Sequence, residues 1–236
     1  MDKAQKIADE LLKFTNARSI FLYGSRARSD YKSDSDYEIG ILMDEEKYIS
    51  RAEVKKQFNF DEVNIFPFHY VKFISGDPDT PFQKSIYLRE IIEAGKTLAG
   101  EKIIENLKKP SITLLDIIQD VRFNLGYALA STHSYRNKDN TTALLHFTKS
   151  CLFGTRDYEI FKTNKFLISY KDIVNASIKL DLQEYQNLPS YAAELKEHKT
   201  EIDIDMLFRN ISYLNNLIEA ELLTTFKKDG NRILIV

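Results

Sequence analysis

The sequence predicts an α/β domain over residues 1–100 followed by a helical bundle over residues 101–236. Three observations lead there. Up to Gly100, short β-branched and aromatic runs alternate with amphipathic helical patterns. Beyond Gly100, apolar residues recur only at helical spacing, as in Leu114, Ile118, Val121, Leu125 and Ala128, and again in Ile204, Leu207, Ile211 and Leu214. The composition, 43% hydrophobic with 15 Phe and 13 Tyr, supplies material for a core, while only 8 Gly and 5 Pro exclude collagen-like and low-complexity chains.

Taken in order, residues 3–14 place Ile7, Ala8, Leu11 and Phe14 on one helical face. Ser19 to Tyr23 reads as a strand halted by Gly24, and Ser25 as the cap of a short helix over Arg26 to Arg28. A polar loop leads to a second strand, Asp36 to Leu42. A helix is expected within 46–58, and a third strand over Glu62 to Phe66, ending near Pro67 because proline cannot donate to a ladder. Residues 82–94 read as a helix stopped by Gly95. In the second half, breaks between helices are expected at 108–110, 136–140, 165–169 and 188–189.

Charge and cysteine content exclude several functions. The 33 basic and 35 acidic side chains leave a net charge of -2, without the basic excess of a protein that grips an extended nucleic acid. Cys151 is the only cysteine, which rules out an intramolecular disulfide and a cysteine-built zinc site. It falls on an apolar stripe and reads as packing. The opening MDKAQKIADE is unlike a secretory signal, and no apolar run approaches the ~18 residues of a membrane span. The expected location is the cytoplasm, with no membrane partner.

The segment that carries chemistry is GSRARSDYKSDSDYEIGI, Gly24 to Ile41. Gly24 lets a ligand approach the backbone at a strand end. The helix start after it and the Ser25 hydroxyl suit a phosphate. Arg26 and Arg28 add cationic charge, although each reads equally well as a surface residue. Asp36 and Glu38 lie two apart in a strand and so project side by side. Two like charges that close call for a cation. Hard oxygen ligands beside a phosphate cradle suit Mg²⁺ or Mn²⁺ and metal-assisted phosphoryl or nucleotidyl transfer.

This arrangement resembles the DNA polymerase β-like nucleotidyltransferase superfamily, whose motif is Gly-Gly/Ser, a spacer, then acid-hydrophobic-acid-hydrophobic. Here it reads Gly24-Ser25, ten residues, Asp36-Tyr37-Glu38-Ile39. The GSRAR opening is similar to that of the minimal and the aminoglycoside nucleotidyltransferases. The resemblance implies an α/β (α+β) nucleotidyltransferase fold with a short mixed sheet. It also implies that Gly24 and Ser25 hold the nucleotide phosphates and that Asp36 and Glu38 bind the metal. The alternative pair Asp34 and Asp36 would put polar Ser35 at an apolar position and shorten the spacer to eight residues, so Asp36 and Glu38 are preferred. Glu38 stands where the family usually has aspartate, and Ser29 where a glycine is common.

The family's third acid lies on a later strand. Its best match, Val63-Asn64-Ile65, puts Asn64 there, and an amide cannot act as a general base. Asp61 and Glu62 are near, and strand alternation would bring Glu62 to the face of Asn64. In the helical part, His146, Lys149, Phe153 and Arg156 share one helical face, from which Lys149 is the choice for binding the triphosphate. The reaction implied is transfer of a nucleoside monophosphate from an NTP, ATP by preference, to a hydroxyl of a small molecule. The helical bundle would bind the acceptor and close the cleft, and a homodimer is compatible with this reading. Two rivals stand beside it: a degenerate nucleotide-binding module, as in a toxin–antitoxin pair, and a transferase acting on a protein or a nucleic-acid end.

Overall fold

The computed structural model describes residues 3–28, 31, 35–58, 62–198 and 201–236, in two compact units, 1–110 and 111–236. The first is built on a four-stranded mixed sheet in the order β3-β2-β1-β4. Strand β1 (Ser19–Tyr23) runs antiparallel to β2 (Tyr37–Met43) on one side and to β4 (Lys96–Gly100) on the other. Strand β3 (Val63–His69) lies parallel to β2 at one edge.

Period-two alternation gives the sheet two apolar faces. On one, Ile20, Ile39, Ile41, Met43 and Ile65 pack with Ile7, Ala8 and Leu11 of α1 (Lys3–Thr15) and Val54 of α3 (Arg51–Gln57). On the other, Phe21, Tyr23, Leu42 and Phe68 pack with Phe73 of α4 (Tyr70–Ile74) and Leu88 and Ile91 of α5 (Lys84–Ala94). Helix α3 begins with a full capping box, Ser50 and Glu53 each bonding the other's backbone. The four-residue α2 (Gly24–Ala27) follows β1 directly.

The structure departs from the sequence reading at Pro67. Strand β3 runs through it to His69, in register with β2 at Ile41. Proline is tolerated because β3 is an edge strand, where a missing N–H leaves no neighbour unpaired. Strand β4 was not expected. Its sequence, KTLAG, has no β-branched run, and it joins β1 with a register shift. The first unit extends to Pro110 because Ile104 is buried in its core and Arg89 Nη1 donates to the Pro110 carbonyl at 2.9 Å.

The second unit is helical. A two-stranded ribbon of β5 (Ile112–Thr113) and β6 (Ile233–Ile235) precedes α6 (Leu114–Arg136), which opens with a Thr113–Asp116 capping box. Then come α7 (Asn140–Thr163), α8 (Tyr170–Ser177), α9 (Leu188–His198) and α10 (Ile204–Ser212), the last continuing through a π-helical stretch, Tyr213–Glu219, into α11 (Ala220–Asp229). Leu188-Pro189 opens a helix where a break was expected, because proline in a first turn needs no N–H partner. Gly154 lets α7 approach the π-helical stretch closely, since a Cβ there would collide with the Leu214 side chain. Cys151 is fully buried in this packing, as expected from its stripe.

Between α6 and α7 lies a buried polar group. Asn124 Nδ2 donates to Asp157 at 3.2 Å, and Arg156 Nη2 lies 3.4 Å from Asp120. Burial, reinforced by the neighbouring Asp120 carboxylate and opposed by the Arg156 guanidinium, pushes the Asp157 carboxyl well above the usual range. The folded state then holds a proton that the unfolded state releases, and stability falls as pH rises from the unfolded carboxylate range. Asp157→Asn mimics the protonated acid, with its oxygen accepting from Asn124 and its amide donating to Asp120. The expected result is a gain of about 1 kcal/mol at pH 8, roughly 2–4 °C in Tm, with a flatter pH dependence in calorimetry. An unchanged or lower Tm would mean that Asp157 is ionised in the fold.

Candidate active site

The site forms where β1 ends and β2 and β3 begin. Gly24, at φ +72°, turns the chain from β1 into α2. Directly across the ladder from Tyr23 stands Glu38. A Cβ built on Gly24 would coincide with the Glu38 carboxylate, so this position needs glycine both for its backbone and for the space. Ser25 follows at the half-buried start of α2.

Glu38 is in register with Asn64 of β3, so the two side chains rise from one face. Asp36, exposed just before β2, accepts a hydrogen bond from Asn64 Nδ2 at 2.9 Å. Gly24, Glu38, Asn64 and Asp36 thus form one row across the end of the sheet. On the far side of Asn64, Arg51 Nη2 donates to its Oδ1 at 3.3 Å, and the guanidinium lies 4.3 Å from the Phe66 ring centroid. Beside Glu38, the hydroxyls of Tyr23 and Tyr87 meet at 3.2 Å. Burial raises both phenols, and the Glu38 charge raises them further, so they remain neutral.

The other expected site residues fall as follows. Arg26 Nε donates to the Ser35 carbonyl at 2.8 Å, and its guanidinium sits 3.9 Å from the Tyr37 ring centroid, tying α2 to the start of β2. Arg28 is nearly buried in an ion pair with Glu90 of α5. Glu62 does not share the face of Asn64. It precedes the strand at φ +64°, where alternation has not begun, and its carboxylate pairs with Lys3 at 3.0 Å. Ser29, Asp34 and Asp61 lie outside the described residues.

In the second unit, Lys149 is half-buried on α7. The stripe expected to be basic is broken up. Arg156 turns inward toward Asp120, and burial, with Lys149 beside it, lowers the His146 pKa so that the ring is neutral at pH 7. Sequence reasoning missed Arg51, Tyr23 and Tyr87, whose proximity to the acid row arises only from tertiary packing. The nearest signal is Ser50-x-x-Glu53, which marks the start of the helix that carries Arg51.

Among the described residues no three His, Cys, Asp or Glu side chains gather as a ready metal site, and none of the helices is long and apolar enough to cross a membrane. The donors at the row are two carboxylates and an amide. That is a fitting set for a hard divalent ion that also takes oxygens from a substrate phosphate.

Residues 5–100 match the model of the family described as Polymerase beta, Nucleotidyltransferase. No curated protein matches the sequence. Among solved structures, a spectinomycin adenyltransferase from Enterococcus faecialis, solved with ATP and spectinomycin, is similar at 15% identity with a TM-score of 0.57, covering 90% of this chain and 95% of that one. A toxin-antitoxin structure with AMP-PNP is found at 15% identity, covering 59% of this chain and 98% of that one, with a TM-score of 0.28, too low to speak to the fold. Residues 5–100 are thus similar to the Polymerase beta, Nucleotidyltransferase family, and the chain shares its fold with that adenyltransferase.

Proposed function

We propose that this protein transfers a nucleoside monophosphate from Mg-ATP to a hydroxyl group of a small molecule. The observation that carries the reading is the row at the sheet end, with the Glu38 carboxylate seated against Gly24 and Asp36 bonded to Asn64. The adenyltransferase of similar fold, solved with ATP and spectinomycin, supports ATP and a small acceptor. Gly24 and Ser25 hold the β- and γ-phosphates at the end of β1, and Asp36 and Glu38 hold the divalent ion. When bound there, that ion polarises the α-phosphate and offsets the charge of the two acids. The acceptor oxygen bonds to the α-phosphorus while the bond from that phosphorus to its bridging oxygen breaks. Pyrophosphate leaves with the electron pair, and the hydroxyl proton passes to solvent.

The helical unit is proposed to bind the acceptor and to supply Lys149 to the triphosphate. Lys149→Ala should then raise the apparent Kd for Mg-ATP about tenfold, or 1.4 kcal/mol, in calorimetric titration. Unchanged affinity would remove Lys149 from the site.

A second reading, a nucleotide-binding module without catalysis, is favoured by one feature. Asn64 cannot take a proton, and Glu62 is engaged with Lys3. A positioned general base is worth ~10²–10⁴ in rate, so a chain lacking one is slow or inert. Incubation with ATP labelled in its α-phosphate and a small-molecule extract separates the two. Transfer of label supports the enzyme, whereas binding of Mg-ATP with nothing labelled supports the module. Asn64→Asp should raise the transfer rate if a base is what the site lacks, because Arg51 is already placed to hold the new carboxylate. A fall in rate would show that the amide's hydrogen bond to Asp36 matters more.

A further inference from the structure

The cation best placed to meet the acceptor is not one the Gly-Ser motif brings. Arg26 and Arg28 stand on the β1 side of the acid row and are engaged with Ser35, Tyr37 and Glu90. Arg51 stands on the opposite side, beyond Asn64 on the edge strand. In-line displacement puts the attacking and leaving oxygens on opposite sides of the phosphorus. With the triphosphate over Gly24 and Ser25, pyrophosphate leaves toward β1 and the acceptor arrives over β3.

Arg51 is exposed there and is steadied by Phe66 and by one hydrogen bond, from Nη2 to Asn64. Its other guanidinium donors make no hydrogen bond among the described residues. Lys55, one turn on, lies on the same side of α3, while the only acid of that helix, Glu53, is held in the capping box with Ser50. A guanidinium fork presented in this way matches an oxyanion, and a cationic acceptor would meet it as a like charge.

We propose, resting on the nucleotidyl-transfer reading, that the acceptor carries an anionic group (a carboxylate or a phosphate) near its reacting hydroxyl, and that Arg51 binds this group. The bonds made and broken are those given above, and the anionic group is unchanged by the reaction.

The test divides a small-molecule extract by ion exchange into anionic, neutral and cationic fractions. Each is offered to the protein with Mg-ATP labelled in its α-phosphate. Label should pass to a component of the anionic fraction. Prior phosphatase treatment of that fraction abolishes transfer if the group is a phosphate and spares it if it is a carboxylate. Arg51→Ala should slow transfer about tenfold or more, as for loss of a charge-assisted hydrogen bond, while the Kd for Mg-ATP measured by calorimetry stays within about twofold. Arg51→Lys, which keeps the charge but loses the fork, should fall between.

Label entering only the neutral or cationic fraction would overturn the proposal. So would a Mg-ATP affinity lowered about tenfold in Arg51→Ala with transfer otherwise intact, since that places Arg51 on the triphosphate. No label in any fraction, with Mg-ATP still bound, would refute nucleotidyl transfer itself and this inference with it.

Discussion

Glu38→Gln and Asp36→Asn are each expected to lower nucleotidyl transfer by about a thousandfold, because a metal ligand supplies several kcal/mol of charge stabilisation. The substitutions keep the shape of the row. Glutamine at 38 can still occupy the space beside Gly24, and asparagine at 36 can still accept from Asn64. What they remove is the negative charge that holds a divalent ion. The fold should not suffer, since Glu38→Gln also takes a charge away from the Tyr23 and Tyr87 hydroxyls, whose ionisation it opposes. The measurement is a transfer rate at several Mg²⁺ concentrations, paired with a thermal melt. Asp34→Asn is the control for register and should leave the rate nearly unchanged. If it proved as damaging as Asp36→Asn, the metal pair would have been assigned one step out of place.

Gly24→Ala is the second change with a large expected effect, and it separates activity from folding. Alanine at φ +72° is strained, and that strain, only partly offset by the lower entropy of an unfolded alanine chain, costs about 1–2 kcal/mol of stability. The new methyl would also occupy the place of the Glu38 carboxylate. Because that carboxylate is the mobile end of a long side chain, it swings away and the chain still folds. The row then loses its alignment, and a misplacement of about 1 Å in a catalytic group can lower a rate about 10²-fold. We expect a transfer rate reduced by about that factor or more, with Tm down by only a few degrees. Full activity in a folded Gly24→Ala protein would mean that Glu38 works from a different position than the one seen here.

Much of this site could be read from residues close together in the chain. A strand stopped by glycine, a ten-residue spacer and two acids inside an apolar strand are all local, and the structure brings Gly24, Glu38, Asp36 and Asn64 into one row. What could not be read depends on distant partners. Arg28 looked like a free cation because nothing in its neighbourhood announces Glu90, sixty-two residues later. Glu62 looked like an alternative base because alternation was counted back through a residue that adopts φ +64°. Arg51 gave no sign of its position, since the chain must turn through α3 and return along β3 before its guanidinium meets Asn64. The same holds for the fold. Strand β4 has no β-branched run and exists because β1 offers it an edge, and Pro67 stays in a strand because its own edge has no neighbour.

The central claim is that Asp36 and Glu38 support transfer of a nucleoside monophosphate. One experiment tests it most directly: ATP labelled in either its α- or its γ-phosphate is incubated with the protein, Mg²⁺ and a small-molecule extract, and the products are separated. The account predicts that α-label appears in a new compound while γ-label appears only in pyrophosphate. It also predicts that both products vanish with chelator and in Asp36→Asn. Mg-ATP bound by the protein with no α-label transferred to any component, or γ-label alone transferred, would contradict it.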